Sequence, residues 1–267
     1  MDLQNAVRIE AEHEICLNAG LVHESLVVLE HLFQHVNTHC ILNDVSLRVA
    51  RGEGLLLIGP NGSGKTALMR LLVGLDMPSA GLVRLFGLDL AALDDRAMGA
   101  LRGRIGVVLQ RGSLLDGLTV LENLLLPLRA TRMSRTKMTR AARLVMTQLQ
   151  LDGMENHRPR SLSLGQRRRV ELGRALIHQP DLLVWDGLTD GLDPIAVRDI
   201  FAMLKVQQQA RGLTLITTDS RSIGTLGNAD RVVVLDGGRV KFDGSREALR
   251  EALEERIELR YVVEGRP

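Results

Sequence analysis

The fold of this chain is constrained most by one stretch of eight residues, Gly59-Pro60-Asn61-Gly62-Ser63-Gly64-Lys65-Thr66. An apolar run over 55–58 precedes the stretch, and a helical pattern over 67–72 follows it. The spacing fits G-x-x-x-x-G-K-[ST], a loop whose backbone N–H groups and following helix N-terminus hold a polyphosphate. In such a loop Lys65 reaches the β- and γ-phosphates and Thr66 binds Mg²⁺. The stretch therefore predicts a nucleotide site between a strand and a helix.

Length and charge narrow the class of protein further. The 267 residues suffice for one large α/β domain with a smaller inserted or appended piece. A net charge of +2, from 34 basic and 32 acidic residues, is too balanced to predict a nucleic-acid partner. No apolar run approaches the roughly 18 residues of a membrane span. We expect a protein that is soluble, or peripheral to a membrane occupied by other subunits.

Hydrophobic patterning predicts alternating strands and helices along the chain. Strands are predicted over 26–29, 41–49, 82–86, 105–109, 181–186, 213–217, 231–235 and 239–242. Helices are predicted over 94–102, 119–128, 136–151, 195–210 and 247–256. Residues 1–25 show mixed polarity with weak periodicity, and no role is assigned to them.

Polar residues stand at the ends of several predicted elements. Gln110 and Asp186 each end an apolar strand, where an amide or carboxylate can contact a metal ion or its water ligands. Ser163 is placed to cap a helix that begins with Gly165 and Gln166, and a helix start of this kind attracts anions. Asp193 lies in a glycine-containing loop before the helix over 195–210.

Taken in chain order, these features resemble the ATP-binding subunit of ABC transporters. The resemblance covers roughly residues 26–256 and implies ATP and Mg²⁺ as cofactors. It makes 59–66 the Walker A loop, Gln110 the glutamine-loop residue, 163–166 the signature, Asp186 the Walker B aspartate and Asp193 the D-loop aspartate. It places Thr66, Gln110 and Asp186 near the metal. Such subunits work in pairs, and each ATP lies between one subunit's Walker A loop and the other's signature.

The resemblance also implies an architecture and partners. The expected α/β fold is a P-loop NTPase parallel-sheet core with an antiparallel β-subdomain and an α-helical subdomain inserted over 111–161. The domain would occupy 26–256, leaving 1–25 as an N-terminal segment and 257–267 as a C-terminal tail. Expected partners are a transmembrane permease subunit and a second ABC ATPase subunit in a homo- or heterodimer. The expected location is the cytoplasmic face of the inner (plasma) membrane.

The stretch 110–123, together with 193–195, is similar to the ATPases of Mla/MCE-type lipid transporters. That similarity implies lipid as cargo and a lipid-carrying MCE-type subunit as a further partner. Importers of amino acids share much of the same stretch, so an importer ATPase for another substrate stays open.

Departures from the family pattern fall on the catalytic positions. Gly187 stands where the family has a glutamate that acts as general base, and Thr218 stands where it has a histidine that contacts the γ-phosphate. Losing a general base typically costs about 10² to 10⁴ in rate. Asp190 and Asp219 are the candidate substitutes for the base. No residue is therefore confidently assigned a catalytic role.

Two further positions differ from the family. Leu164 replaces the first glycine of the signature, where a bulky side chain obstructs the approach of backbone to phosphate. The aromatic residue that stacks on adenine has only weak candidates, Phe33 and His35, since the only tyrosine is Tyr261.

Two functions from different classes follow from these departures. The first is a transporter subunit that binds Mg-ATP but hydrolyses it weakly at its own site or depends on a partner subunit. The alternative is a non-transport regulatory ATP-binding module that docks to a membrane complex. An ordinary active ATPase requires compensation at two catalytic positions.

Overall fold

The computed structural model describes residues 25–110, 112–187, 191–219 and 229–264. The predicted N-terminal segment, apart from Ser25, lies outside the described residues, as do Arg111, Asp190 and residues 265–267. Within the described ranges the strands are β1 (Ser25–Val36), β2 (His39–Ala50), β3 (Gly54–Ile58), β4 (Ala80–Leu85), β5 (Leu88–Asp89), β6 (Ile105–Val108), β7 (Leu182–Trp185), β8 (Thr214–Asp219), β9 (Arg231–Asp236) and β10 (Arg239–Gly244).

The helices lie between and after these strands. They are α1 (Lys65–Leu72), α2 (Asp95–Arg102), α3 (Val120–Leu125), α4 (Arg135–Gln148), α5 (Leu164–Leu176), α6 (Pro194–Arg211), α7 (Arg246–Glu255) and α8 (Ile257–Glu264). Short 3₁₀ segments cover Leu90–Ala92, Leu126–Ala130 and Pro159–Ser161. Among the helices of the described ranges, none is both long and apolar enough to cross a bilayer.

A six-stranded sheet with the order β10-β9-β3-β8-β7-β6 forms the centre of the molecule. All neighbours from β9 to β6 are parallel, and only β10 pairs antiparallel with β9. The strands β3, β7 and β8 are buried along their whole length, as expected for a parallel sheet covered on both faces. Because parallel strands point the same way, the carboxyl ends of β3, β6, β7 and β8 meet at one edge.

A second, antiparallel sheet has the order β2-β1-β4-β5 and shares a hydrophobic core with α1. The helices α3 to α6 pack around the other face of the central sheet, where Trp185 is fully buried. This arrangement confirms the predicted fold class, with its parallel core, antiparallel β-subdomain and helical region. The helices α3 and α4 fall within 111–161, but the boundaries of the proposed insert stay a prediction.

The sequence-based boundaries were wrong in identifiable places. The helix predicted over 119–128 ends as α-helix at Leu125, because Pro127 in the following 3₁₀ segment lacks a backbone N–H. Within the predicted tail, Ile257–Glu264 form α8, a helix that the sequence did not predict, and Leu259 packs there with Leu249 and Leu253 of α7. The strand predicted over 26–29 extends to Val36, since pairing with β2 compensates for its polar residues.

Candidate functional site

The Walker A loop connects β3 to α1 and wraps around its own lysine. Lys65 Nζ donates hydrogen bonds to the carbonyls of Gly59 and Pro60 at 2.7 and 2.9 Å. Burial lowers the pKa of Lys65, and the carboxylates of Asp186 and Asp219 oppose that shift. Gly59 has φ +155°, and a Cβ there would lie 2.0 Å from the carbonyl oxygen of Leu235. Only glycine therefore fits at the start of this loop.

The loop forms one side of a cavity of about 430 Å³. The cavity is lined by Ile41, Asn61, Gly62, Gly64, Lys65, Thr66, Ala67, Gln110, Asp186, Gly187 and Thr218. Four strands of the central sheet contribute directly, because the loop follows β3, Gln110 follows β6, Asp186 and Gly187 follow β7, and Thr218 belongs to β8, while Ile41 comes from β2 of the second sheet. The parallel sheet thus brings together lining residues as far apart in the chain as Asn61 and Thr218.

Asp186 lines the cavity and is almost completely buried. Its Oδ2 accepts a hydrogen bond from the Thr66 hydroxyl at 2.8 Å, and its Oδ1 accepts one from the Thr218 hydroxyl at 2.5 Å. Carboxylate, hydroxyl and amide oxygens are the ligands that Mg²⁺ prefers, and Asp186, Thr66 and Gln110 supply that set on one cavity. The residues present therefore fit the predicted metal, which neutralises phosphate charge when bound.

Thr218 makes a second contact that the sequence did not predict. Its hydroxyl oxygen accepts a hydrogen bond from the backbone N–H of Gly187 at 2.8 Å. Gly187 has φ +73°, in the left-handed region that side chains other than those of Gly, Asn and Asp rarely adopt. The two catalytic departures are therefore in direct contact, and the hydroxyl of Thr218 links Gly187 to Asp186.

The two candidate substitutes for the base are placed differently. Asp190 lies outside the described residues. Asp219 ends β8, is 2% exposed and pairs in register with Ile58. It is not among the described residues that line the cavity, and its charge acts on Lys65. Its role as a base stays a prediction.

The signature lies at the start of α5, and its described residues do not line this cavity. The Ser163 hydroxyl accepts from the Gln166 N–H at 3.2 Å, and the Ser163 N–H donates to the Gln166 side chain at 2.9 Å. This reciprocal capping box occupies Gln166 within its own helix. Leu164 is 57% exposed, and its side chain lies against Gly191, where a Cβ would be 2.4 Å from Leu164 Cγ.

Asp193 also caps a helix. Its Oδ1 accepts from the backbone N–H groups of Ile195 and Ala196 at 2.9 Å each, at the start of α6. These bonds, that from Ala196 foremost, lower the pKa of the Asp193 carboxyl. The Asp-Pro pair at 193–194 is itself a signal for a helix start, which the sequence interpretation did not use.

The middle of α5 contacts the residues that follow β6. Arg168 donates to the carbonyls of Leu109 and Gln110, and Glu171 accepts from the Ser113 N–H. The sequence analysis assigned Arg168 and Glu171 no role. A buried charge at the apolar positions of the helix was the available signal.

Comparison with known proteins agrees with this geometry. The family model described as ABC transporter matches residues 42–190. The chain belongs to the ABC transporter family. Its resemblance to the ATP-binding domain is thereby confirmed, and the assignment of the cavity as the nucleotide site stays a prediction.

Two groups of relatives support this membership. The methionine import ATP-binding protein MetN of Rhizobium johnstonii is 35% identical over 91% of this chain and 66% of its own length. MetN 2 of Burkholderia mallei is 39% identical over 76% of this chain and 51% of its own length. The chain thus spans about half to two thirds of the length of these curated relatives. The dimeric post-hydrolysis structure of the ATP-binding cassette MJ0796 with ADP and Pi has a TM-score of 0.78 and 29% identity, covering 82% of this chain and 98% of that one.

In this ABC ATPase fold the predicted nucleotide residues form two groups. The Walker A loop, Gln110 and Asp186 meet at one cavity, together with Ile41, which the sequence analysis did not select. Ser163, Gly165, Gln166 and Asp193 do not line that cavity, and their contact with a nucleotide held by a second subunit stays a prediction. The two adenine-stacking candidates, Phe33 and His35, are not among the described lining residues, and Ile41 of β2 supplies apolar surface there.

Proposed function

We propose that this chain is the ATP-binding subunit of an ABC transporter and that its own site binds Mg-ATP but hydrolyses it poorly. The observation that carries the proposal is the Thr218 hydroxyl, which contacts both Asp186 and the Gly187 N–H. The binding elements are complete beside it, with Lys65 in the loop and Thr66 on Asp186.

Hydrolysis needs a general base within hydrogen-bond reach of the attacking water. Gly187 has no side chain, and Thr218 is already used in holding Gly187 and Asp186. Nucleotide binding does not need a base, so the affinity for Mg-ATP is retained. Binding then shifts the population toward the closed pair of subunits without turnover. A partner subunit with complete Walker residues would use the exposed Ser163 end of α5 to hydrolyse its own ATP.

Restoring the family residues tests this proposal. We expect Gly187→Glu alone to remain slow, because the Thr218 hydroxyl still bonds its N–H and holds the left-handed backbone that disfavours glutamate. The double variant Gly187→Glu/Thr218→His is expected to raise single-turnover phosphate release by about 10² to 10⁴. The measurement is phosphate release at saturating Mg-ATP, with nucleotide affinity determined for each variant.

The matched control is Gly187→Gln/Thr218→His, which has the shape of the double variant without its carboxylate. It is expected to bind ATP and stay slow. Brisk hydrolysis by the unmodified chain that disappears in Lys65→Ala would contradict the proposal. A Gly187→Glu variant as fast as the double variant would refute the role given to Thr218.

For the cargo, the names of the relatives support the importer alternative more than the lipid one. The relatives from Rhizobium johnstonii, Burkholderia mallei and Latilactobacillus sakei are named methionine import ATP-binding proteins. The Mla/MCE-type assignment gains no support from them and stays a prediction. Mass spectrometry of the partners that co-purify with this chain, tagged in its host, separates the two cargo alternatives. An MCE-type subunit among them would indicate lipid, whereas a permease without an MCE-type subunit would indicate an importer. Stable membrane partners without any permease would favour the regulatory module.

A further inference from the structure

Arg168 of α5 holds two carbonyl groups that follow strand β6. Its Nη1 donates to the Leu109 carbonyl and its Nη2 to the Gln110 carbonyl, each at 2.7 Å. The side chain is only 5% exposed. These carbonyls lie where the chain leaves the parallel sheet, so they need partners other than ladder hydrogen bonds. The planar guanidinium of Arg168 supplies a hydrogen-bond donor to each of the two carbonyls.

Glu171 completes the contact one helical turn later. Its Oε2 pairs with Arg168 Nη1 at 2.9 Å, and its Oε1 accepts from the Ser113 N–H at 3.0 Å. Arg174 donates to the Ser113 carbonyl at 2.8 Å and also to the Ser113 hydroxyl. Residues 109, 110 and 113 are therefore held from one face of one helix.

A buried ion pair of this kind contributes little to stability by itself. The cost of taking both charges out of water offsets most of their attraction, and apolar residues of similar volume often serve the fold equally well. Arg168 and Glu171 instead add directed hydrogen bonds to Leu109, Gln110 and Ser113. Their geometry fixes where the loop lies relative to α5.

The helix α5 contacts the Gln110 side of the nucleotide cavity and also begins at the predicted signature. Gln110 lines the nucleotide cavity with Lys65 and Thr66, and α5 begins at the exposed Ser163 cap. Arg168 lies about 7.5 Å along the helix axis from that cap, at 1.5 Å per residue. We infer that Arg168 and Glu171 are positioning residues that couple the nucleotide cavity to the signature end of α5. This inference rests on the proposed binding of Mg-ATP.

Hydrogen–deuterium exchange of the full chain with and without Mg-ATP tests the coupling. In the unmodified chain ATP is expected to slow exchange over 59–66 and also over 163–170, the latter by about fivefold or more. In Arg168→Met/Glu171→Leu the effect over 59–66 persists, while that over 163–170 falls below about twofold. Both substitutions are apolar and of similar volume, so neither leaves an unpaired buried charge.

The matched control is Arg169→Gln, one position along the same helix, which removes a contact to the Gln150 side chain and a charge that acts on Asp193 but leaves the contacts to Leu109, Gln110 and Ser113 in place. It is expected to keep the full response at both segments. Arg168→Lys serves as a second variant, because a single ammonium retains the charge beside Glu171 but cannot reproduce the two-carbonyl fork. It is expected to reduce the response over 163–170, and it decides the question if the double variant does not fold.

The outcomes separate this inference from the proposed function. ATP protection over 59–66 with an unchanged response over 163–170 in both Arg168 variants would overturn the inference and leave ATP binding standing. An absence of Lys65-dependent protection over 59–66 in the unmodified chain would overturn both. A loss over 163–170 in Arg169→Gln equal to that in the double variant would also overturn the assignment to Arg168 and Glu171.

Discussion

Two regions of the same cavity differ in how far they keep the family pattern. The phosphate loop after β3 is complete, with Lys65 held by the carbonyls of Gly59 and Pro60. The ends of β7 and β8 carry Gly187 and Thr218 in place of a base and a phosphate contact. The comparison teaches that binding and chemistry depend on different parts of the site. Phosphate binding uses the backbone N–H groups of the loop and the ammonium of Lys65, whereas hydrolysis needs particular side chains at positions 187 and 218.

The departures at the second region also form a unit. The Gly187 N–H lies 2.8 Å from the Thr218 hydroxyl, which in turn contacts Asp186. Restoring the family residue at one of these two positions therefore leaves the other position in a conformation that suits the present pair, Gly187 and Thr218. Asp186 belongs to both regions, because it contacts Thr66 on one side and Thr218 on the other.

The largest expected effect comes from breaking the first region. Lys65→Ala removes the cation that we propose contacts the phosphates, and charge-assisted hydrogen bonds contribute about 1.5 to 3 kcal/mol each. We therefore expect the dissociation constant for Mg-ATP to rise about 10- to 100-fold, measured by isothermal titration calorimetry. Lys137→Ala on the exposed face of α4 is the control and should bind normally. Equal affinities for the two variants would mean that the loop is not the nucleotide site.

A smaller effect is expected at the second region. Thr218→Val keeps the shape of the side chain but leaves the Gly187 N–H and one Asp186 oxygen without this partner. We expect a loss of about 1 to 3 kcal/mol in the free energy of unfolding, measured by urea denaturation. Thr217→Val is the matched control, because Thr217 is equally buried and its hydroxyl makes only a 3.4 Å contact to the Leu55 carbonyl. Similar losses for both variants would show that the bridge made by Thr218 adds little.

The smallest expected effect is on the pH dependence of the free energy of unfolding, which applies to the whole fold and so to both regions alike. Burial lowers the pKa of His178 at the end of α5 below its ordinary 6.5. As pH falls, the unfolded chain therefore binds a proton at a higher pH than the folded chain does. The contribution of neutral His178 to the free energy of unfolding is present above pH 6.5 and is lost as pH falls toward the pKa of the folded state. We expect His178→Gln to flatten the decrease in unfolding free energy between pH 7 and 5. The control is His157→Gln at an exposed position, and an equal flattening there would refute the assignment.

The sequence predicted the parts of the site that local patterns encode. The spacing of 59–66 identified the loop, and the polar residues that end apolar strands identified Gln110 and Asp186. Parallel strands made their convergence expected. By contrast, the position of Ile41 over the cavity depends on the packing of β2 against the loop, which no local pattern describes. The helix α8 was missed for a similar reason, since burial of Leu259 against α7 stabilises it.

The sequence by itself determined the nucleotide-binding fold and the identity of the departures at Gly187 and Thr218, because both follow from motif spacing and chain order. Only the tertiary structure decided which groups those two residues contact. It joined Thr218 to the Gly187 N–H across 31 positions and Arg168 to the Gln110 carbonyl across 58. The reason is physical: hydrogen bonds between residues so far apart depend on which strands and helices become neighbours, and the packing of the whole sheet sets that.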